Sequence, residues 1–430
     1  MTNPDAFLKH ELNLKPSDTL IVSVSGGNDS MALLDMLRQS PYRLVVVHFD
    51  HQKRPESKDD AKLVEAYCQT HGIEFNYYAL EIGGGNFHHV AHQLRTHYLK
   101  DVARIHHTPY ILTAHHLDDL LENILIKLTR GSNLLGYAGM QPVVRRDGYV
   151  FVKPLLHVPK HELETYVKDH DVPFADDQSN EENVYLRNRY RHAIIPLMHQ
   201  ENPTLLETVK QYHRQITAAF RFIRKQSESF VKDGVIDVEG FKALDPAVQS
   251  DVIAMVLESG KVPFAMRTVD KLSSILLSKR PNTTYQLGNS KVFEKSYGTA
   301  RLRDMDDISD IRIELKPGCT TVQNVSLFTF FDKSPAVPEQ AVKLCYNKLA
   351  FPLWVRRRQD GDTLAYDYGH KKLKKLLIDN KVPIRKRQEL LVITDSDDTI
   401  LWVPGHYVNK TLGTENDLYF EIREDTPDAQ

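Results

Sequence analysis

The chain has 430 residues, too long for one ordinary domain, so two to four domains are expected. Its composition, 41% hydrophobic and 26% charged, is that of a folded protein and excludes wholesale disorder. A formal charge of -2 excludes a uniformly basic nucleic-acid coat but says nothing against a local basic patch.

From the N-terminus, TLIVSVS (19–25) reads as a buried strand and DSMALLDMLRQS after it as a helix. RLVVVHFD (43–50) is a second strand, followed by a helix near 58–71. FNYYALE (75–81) is a third strand, followed by a helix over about 88–107. YILTAHH (110–116) is a fourth, leading into LDDLLENILIKLTRG. Apolar runs alternating with helices predict a doubly wound parallel α/β sheet, with ligands beyond the carboxyl ends of its strands. GYVFVKPLL suggests a return strand, and Pro159 opens a further helix. DDQSNEENV (176–184) reads as a polar loop and a helix starts near Arg187. A long charged helix over 203–232 connects to helices at 246–259 and 266–278, then to short strands. The remainder mixes short strands with one very basic helix and ends in a tail expected to be disordered. These readings divide the chain into a catalytic domain (1–205), a mainly helical middle domain (206–310) and a small α+β domain (311–430).

Ser25-Gly26-Gly27-Asn28-Asp29-Ser30 lies between the first strand and first helix. Two glycines permit a tight turn, and the helix start offers unpaired N–H groups to an anion. Asp29 is out of place in a pure anion site and suggests Mg²⁺ or a cationic substrate. No lysine follows the glycines, so the pattern is not a Walker A loop. His115-His116-Leu117-Asp118-Asp119-Leu120-Leu121-Glu122 starts at the fourth strand's end, with Asp119 and Glu122 on one helix face. These carboxylates suit Mg²⁺ or an ammonium group. Complementing the helix dipole is the plainer reading. Zinc lacks a third ligand at standard spacing. His48 ends the second strand and Arg54 follows it, where adenine, ribose or phosphate would be met. Arg187, Arg189 and Arg191 are dense enough to clamp phosphates.

The hexapeptide fits S-G-G-x-D-S and resembles the PP-loop ATP pyrophosphatases. With V-H-F-D-H, A-H-H-L-D-D-x-x-E, R-G-S-N-L-L-G, K-P-L-L and L-R-N-R-Y-R-H in order, residues 19–200 resemble the tRNA(Ile)-lysidine synthetase family. Val355-Arg356-Arg357-Arg358, His370-Lys371-Lys372-Leu373-Lys374-Lys375 and Trp402-Val403-Pro404-Gly405 resemble that family's C-terminal domain. The resemblance implies that ATP adenylates the C2 oxygen of the wobble cytidine in a CAU anticodon. The amine of L-lysine then displaces AMP to give lysidine.

Under that reading Ser25, Gly26, Gly27, Asn28, Asp29, Ser30, His48 and Arg54 bind ATP. Asp29, Asp119 and Glu122 meet Mg²⁺ or lysine, with Asp29 and Asp119 as the metal ligands. Arg189 and Arg191 clamp the phosphates or the anticodon backbone, and His115 or His116 orients the adenylate or accepts a proton. Asn28, Gln52-Lys53, Asn123 and Gln178 depart from the usual pattern without removing a charge the reading uses.

Residues 351–390 carry eleven basic and five acidic side chains. Lys371, Lys372, Lys374 and Lys375 are expected on one helix face, and with Arg356 and Arg357 they would hold tRNA phosphates. No protein partner is required and homodimerisation stays open. Cys68, Cys319 and Cys345 form no C-x-x-C pair, which disfavours disulfides, cysteine zinc sites and a cluster-dependent tRNA thiolase. No glutaminase-like cysteine suits an amidotransferase-coupled ligase. The polar N-terminus and the lack of a run of about 18 apolar residues predict a cytoplasmic protein without a membrane span.

Overall fold

The computed structural model describes residues 3–50, 52, 57–80, 87–175, 186–288, 290–305, 311–322, 325–331, 337–338 and 340–424. Arg54, the polar loop at 176–184 and the final residues from 425 lie outside them. The chain forms two compact units, residues 1–223 and 224–430.

In the first unit α1 (Pro4–Leu12) precedes β1 (Thr19–Ser23), α2 (Asn28–Arg38), β2 (Arg43–Asp50), α3 (Ser57–Thr70), β3 (Glu74–Ala79), α4 (Phe87–Ile105) and β4 (Tyr110–Leu112). Then come α5 (Leu117–Arg130), α6 (Leu134–Ala138), β5 (Val143–Arg146), β6 (Tyr149–Val152) and α7 (Lys160–Asp169). The sheet order is β3-β2-β1-β4-β6-β5, with only β5 antiparallel. Alternation along each strand explains why both faces are covered. Leu20, Val22, Leu44 and Val46 join one buried cluster, whereas Ile21, Val45, Val47 and Phe49 join the other. Each such side chain contributes about 1.5–3 kcal/mol by leaving water. The expected fourth strand is shorter than its apolar run. It stops at Leu112, and Thr113–His116 bring the chain out to the start of α5.

The arginine-rich element is a short helix, α8 (Leu186–Arg189), which widens into a π turn over Tyr190–Ile194 before α9 (Ile195–Glu201). Pro196 supplies the reason: it has no N–H to close the next bond. The ladder slips instead, with Ile195 N–H donating to the Tyr190 carbonyl. α10 (Leu205–Phe230) packs Leu205, Val209 and Tyr212 against Leu117, Leu121 and Ile124 of α5.

The second unit begins with β7 (Val235–Asp237), α11 (Val238–Ala243), α12 (Pro246–Ser259) and α13 (Met266–Leu277). β8 (Asn282–Leu287), β9 (Lys291–Ser296) and β10 (Thr299–Asp304) complete a sheet ordered β7-β10-β9-β8. The helices at 246–259 and 266–277 and the three strands stand where the sequence predicts them.

Beyond it lie β11 (Arg312–Leu315), β12 (Gly318–Val322), β13 (Val325–Phe331), β14 (Val342–Tyr346), β15 (Leu353–Arg357), β16 (Thr363–Tyr366) and β17 (Gly369–Lys372). α14 (Leu373–Asp379), α15 (Ile384–Glu389), β18 (Leu391–Thr394), β19 (Ile400–Val403), β20 (Tyr407–Val408) and β21 (Asn416–Glu424) end the α+β region. Two sheets, β11-β15-β18-β19-β20 and β12-β13-β21-β14, share a core in which Trp402 stacks on Phe420 at 5.3 Å.

One expectation is corrected here. Lys371 and Lys372 are in β17, paired with Leu364 and Thr363, and only Lys374 and Lys375 are helical. The four lysines therefore do not form one helix face. Gly369, with φ at +128°, turns the chain into a hairpin before the helix can start.

Candidate active site

The loop after β1 is held open by backbone geometry. Gly26 has φ at +91°, a region that disfavours a Cβ, and its carbonyl accepts from Ala175 N–H at 2.9 Å. No side chain caps α2 at Gly27, so the helix start keeps donors for an anion. The Ser25 and Ser30 hydroxyls are 3.1 Å apart, and Ser30 also donates to the Gly27 carbonyl at 2.9 Å. His48 is buried, and its Nδ1–H donates to the Val24 carbonyl at 3.0 Å. It therefore braces the loop from beneath, and burial holds the ring's pKa below its ordinary value.

Opposite the loop, α5 begins just past His116. The His116 N–H donates to Asp119 Oδ2 at 3.2 Å, and the Asp119 N–H approaches His116 Nδ1 at 3.4 Å. His116 is 3% exposed. Its Nε2 lies 3.5 Å from both Asp29 Oδ2 and Asp119 Oδ2, and its Nδ1 lies 3.6 Å from Asp118 Oδ2. Burial pushes the imidazole pKa down, but hydrogen bonds to Asp118 and Asp29 and the charge of Asp119 outweigh it and raise the pKa to about 10. A neutral Nδ1 could accept the Asp119 N–H. Three surrounding carboxylates nevertheless make the cation the stable form. Asp118 also accepts from the Lys160 N–H at 2.8 Å, which ties the start of α7 to α5.

His115 behaves oppositely. Burial, reinforced by the charges of Lys153, Arg187 and His116, outweighs the pull of Asp119 and takes it down to about 4. It is a neutral base at pH 7, with its Nδ1 2.9 Å from the Thr113 hydroxyl. Lys153, just past β6, has its ammonium pKa lowered by burial.

Glu122 is 1% exposed and bound on both sides. Arg187 Nε donates to Oε2, and Arg191 Nε donates to Oε1 at 2.6 Å. Arg187 also donates to Asp119 Oδ1 at 2.6 Å. Among the described residues the structure thus brings together Ser25 to Ser30, His115, Asp119, Glu122 and Arg191. Arg189 is exposed on the same element. The sequence pattern under-weighted Arg187, His116, Asp118 and Lys153. Their signal was position, since each lies at or near the exit of a strand or on the arginine element.

Asp29 Oδ1 and Asn28 Oδ1 are buried without a hydrogen-bond partner. Such an orphaned carboxylate oxygen beside an anion loop fits a divalent cation shared with substrate phosphates. No group of three or more His, Cys, Asp or Glu that could hold a metal occurs among the described residues. Burial pushes the Cys68 thiol up to about 12, so it offers no thiolate at neutral pH.

In the second unit two arginines are not where a phosphate would find them. Arg356 is 3% exposed, its guanidinium donating to Asp362 at 2.8 and 3.2 Å and to the Arg357 carbonyl at 3.0 Å. Arg357 is buried as well. Both sit on β15, between β11 and β18, which corrects their expected place on the tRNA-facing surface.

A parallel sheet with a glycine-turned anion loop after β1 and a carboxylate-rich helix after β4 defines a PP-loop enzyme. A family profile described as a PP-loop domain matches residues 2–198. A second, described as the TilS substrate C-terminal domain, matches residues 351–420. The chain is 34% identical to the tRNA(Ile)-lysidine synthase of Aster yellows witches'-broom phytoplasma, over 97% of this chain and 96% of that one. It is 31% identical to the Enterococcus faecalis tRNA(Ile)-lysidine synthase, over 94% and 95%. With the Thermotoga maritima tRNA(Ile)-lysidine synthase the identity is 28%, over 91% and 92%. The chain belongs to the tRNA(Ile)-lysidine synthase family, and it is an ATP-dependent ligase. No described helix is long and apolar enough to cross a membrane.

Proposed function

We propose that the chain joins L-lysine to C2 of the wobble cytidine of tRNA(Ile) bearing a CAU anticodon, through an adenylated tRNA. The cytidine O2 attacks the α-phosphorus of ATP and pyrophosphate leaves. The lysine amine then attacks C2, the C2–O bond breaks, and AMP carries the oxygen away. The observation that carries this reading is the juxtaposition of an anion-binding loop with a carboxylate cluster on His116. One substrate is a polyphosphate and the other a cation, and these are the two charges the site is built to hold.

Ser25, Gly26, Gly27, Asn28 and Ser30 take the ATP phosphates through hydroxyls and backbone N–H groups. Asp29, whose Oδ1 has no partner, would hold Mg²⁺, which when bound neutralises phosphate charge, or the lysine ammonium; Asp119 would join it only by exchanging a bond from Arg187 or His116. Glu122 acts as a positioning residue: both its oxygens hold Arg187 and Arg191 toward the site. Arg189, Arg191 and the half-buried Lys153 stabilise phosphate and adenylate charge. His115 is poised to take the proton the attacking amine must lose. His48 supports the loop, and Arg54, which lies outside the described residues, is proposed to meet ATP. The middle domain and residues 311–430 bind the body of the tRNA, and no protein partner enters the reaction.

Asp29→Ala tests this directly. ATP-dependent incorporation of radiolabelled lysine into tRNA should vanish, while the melting temperature stays near that of the wild type. Retained incorporation sinks the assignment.

A further inference from the structure

The hairpin β16–β17 carries an arrangement that the ATP chemistry does not use. Tyr368 stands in its turn, 83% exposed. Its ring stacks on Tyr366, with centroids 5.1 Å apart and planes 17° from parallel. Tyr366 is held from behind, because it packs edge-on against Tyr407 at 5.4 Å. The Tyr407 hydroxyl donates to the Ala365 carbonyl at 2.5 Å, and its ring lies in a buried cluster with Leu364, Leu373 and Leu377. The outer ring therefore has a fixed backing.

The surroundings are cationic. Pairing of Tyr366 with Gly369 and of Leu364 with Lys371 puts Lys371 on the tyrosine face of the hairpin. The Lys371 ammonium is 2.9 Å from Asp379. Lys372, on the other face of the hairpin, and Lys374 and Lys375 at the start of α14 follow in the chain, all exposed.

We infer that the Tyr366–Tyr368 pair is a stacking platform for one unpaired base of an RNA strand, whose phosphates meet the neighbouring lysines. An aromatic face accepts any base by stacking, and nearby cations neutralise the strand's backbone. A continuous duplex presents phosphates and 2′-hydroxyls but no free base face, so it would leave the ring unused. A lipid or protein partner calls for a broad apolar patch, whereas here one exposed ring shares its face with Lys371 and precedes a lysine-rich stretch. The inference rests on the tRNA-ligase reading but extends it: an unpaired nucleotide is held apart from the reacting cytidine.

The test uses the full-length Y368W variant, with the emission of the two native tryptophans, Trp354 and Trp402, subtracted from the wild type. Titration with tRNA and with a short single-stranded oligoribonucleotide should quench the added fluorescence, and a blunt RNA duplex should not. Y368A should bind tRNA roughly ten- to a hundred-fold more weakly, with an unchanged melting temperature because the side chain is exposed. Y368F should bind like the wild type. The platform is overturned by wild-type affinity in Y368A, by equal quenching with duplex, or by a response to phosphatidylglycerol vesicles instead of RNA. The two readings fail separately. If the wild type makes no lysidine while Y368W is still quenched by RNA, the activity fails and the platform stands. An active Y368W enzyme whose fluorescence ignores RNA does the reverse.

Discussion

At the scale of single residues the site is organised by buried charge. Glu122 is a fully buried carboxylate, and two arginines satisfy it. Removing both arginines leaves an uncompensated buried anion, a change that costs about 3–5 kcal/mol. The R187A/R191A double variant should therefore melt well below E122Q, which leaves two arginines able to reach water. Equal melting temperatures in thermal denaturation would show that Glu122 is not paired as described. The sequence made Asp29, Asp119 and Glu122 legible because their spacing after a strand is a local signal. It could not show that Glu122 faces arginines, since that pairing joins α5 to an element more than sixty positions away. Arg356 failed for a different reason: its partner Asp362 is only six positions away, but three consecutive arginines look like surface, and only the strand pairing of β15 reveals that the first is buried.

At the scale of elements, local pattern and observed structure agree for most of the apolar runs, β4 being shorter than its run. β2 spans Arg43–Asp50, as its run of hydrophobic residues predicts. They part where one residue overrides the pattern. Gly369 turns the lysine segment into a hairpin, and Pro196 opens the π turn in the arginine element. A second element-scale feature joins α10 to the loop after β6. His213 Nε2–H donates to the Met140 carbonyl at 3.0 Å, so its Nδ1 accepts from His157 Nε2–H at 3.0 Å. His213 must be neutral to accept at Nδ1, and what keeps His157 neutral as well is burial and charge rather than the bond itself. Burial, with the charges of His213, Arg214 and Lys210, holds His157 down to about 4, and burial also lowers His213. Below the ordinary histidine pKa of about 6.5 the unfolded chain takes up a proton that folded His157 refuses. Stability from this pair is thus complete above that value and is lost as pH falls toward 4. The melting-temperature gap between wild type and H157N should narrow from pH 7 to pH 5. A gap independent of pH contradicts the neutral pair.

At the scale of the whole molecule, near-neutral charge is compatible with a nucleic-acid substrate because the basic residues cluster locally. Residues 351–390 are strongly basic, although residues 311–430 taken together are close to balance. Replacing Lys372, Lys374 and Lys375 with Ala should weaken tRNA binding. It should also flatten the salt dependence of log Kd by roughly 0.7–0.9 for each phosphate that is no longer neutralised. An unchanged slope between low and high salt would remove these lysines from the interface. The proposed tRNA-binding role of the second unit and the proposed ATP chemistry of the first meet in one assay. Purified wild-type protein is supplied with ATP, Mg²⁺, radiolabelled lysine and either tRNA(Ile) bearing CAU or the elongator tRNA(Met), which shares that anticodon. The account predicts stoichiometric lysine incorporation into tRNA(Ile), with one AMP and one pyrophosphate released per lysine. It is contradicted if tRNA(Ile) takes up no lysine while ATP is still cleaved, or if lysine appears in the product without AMP.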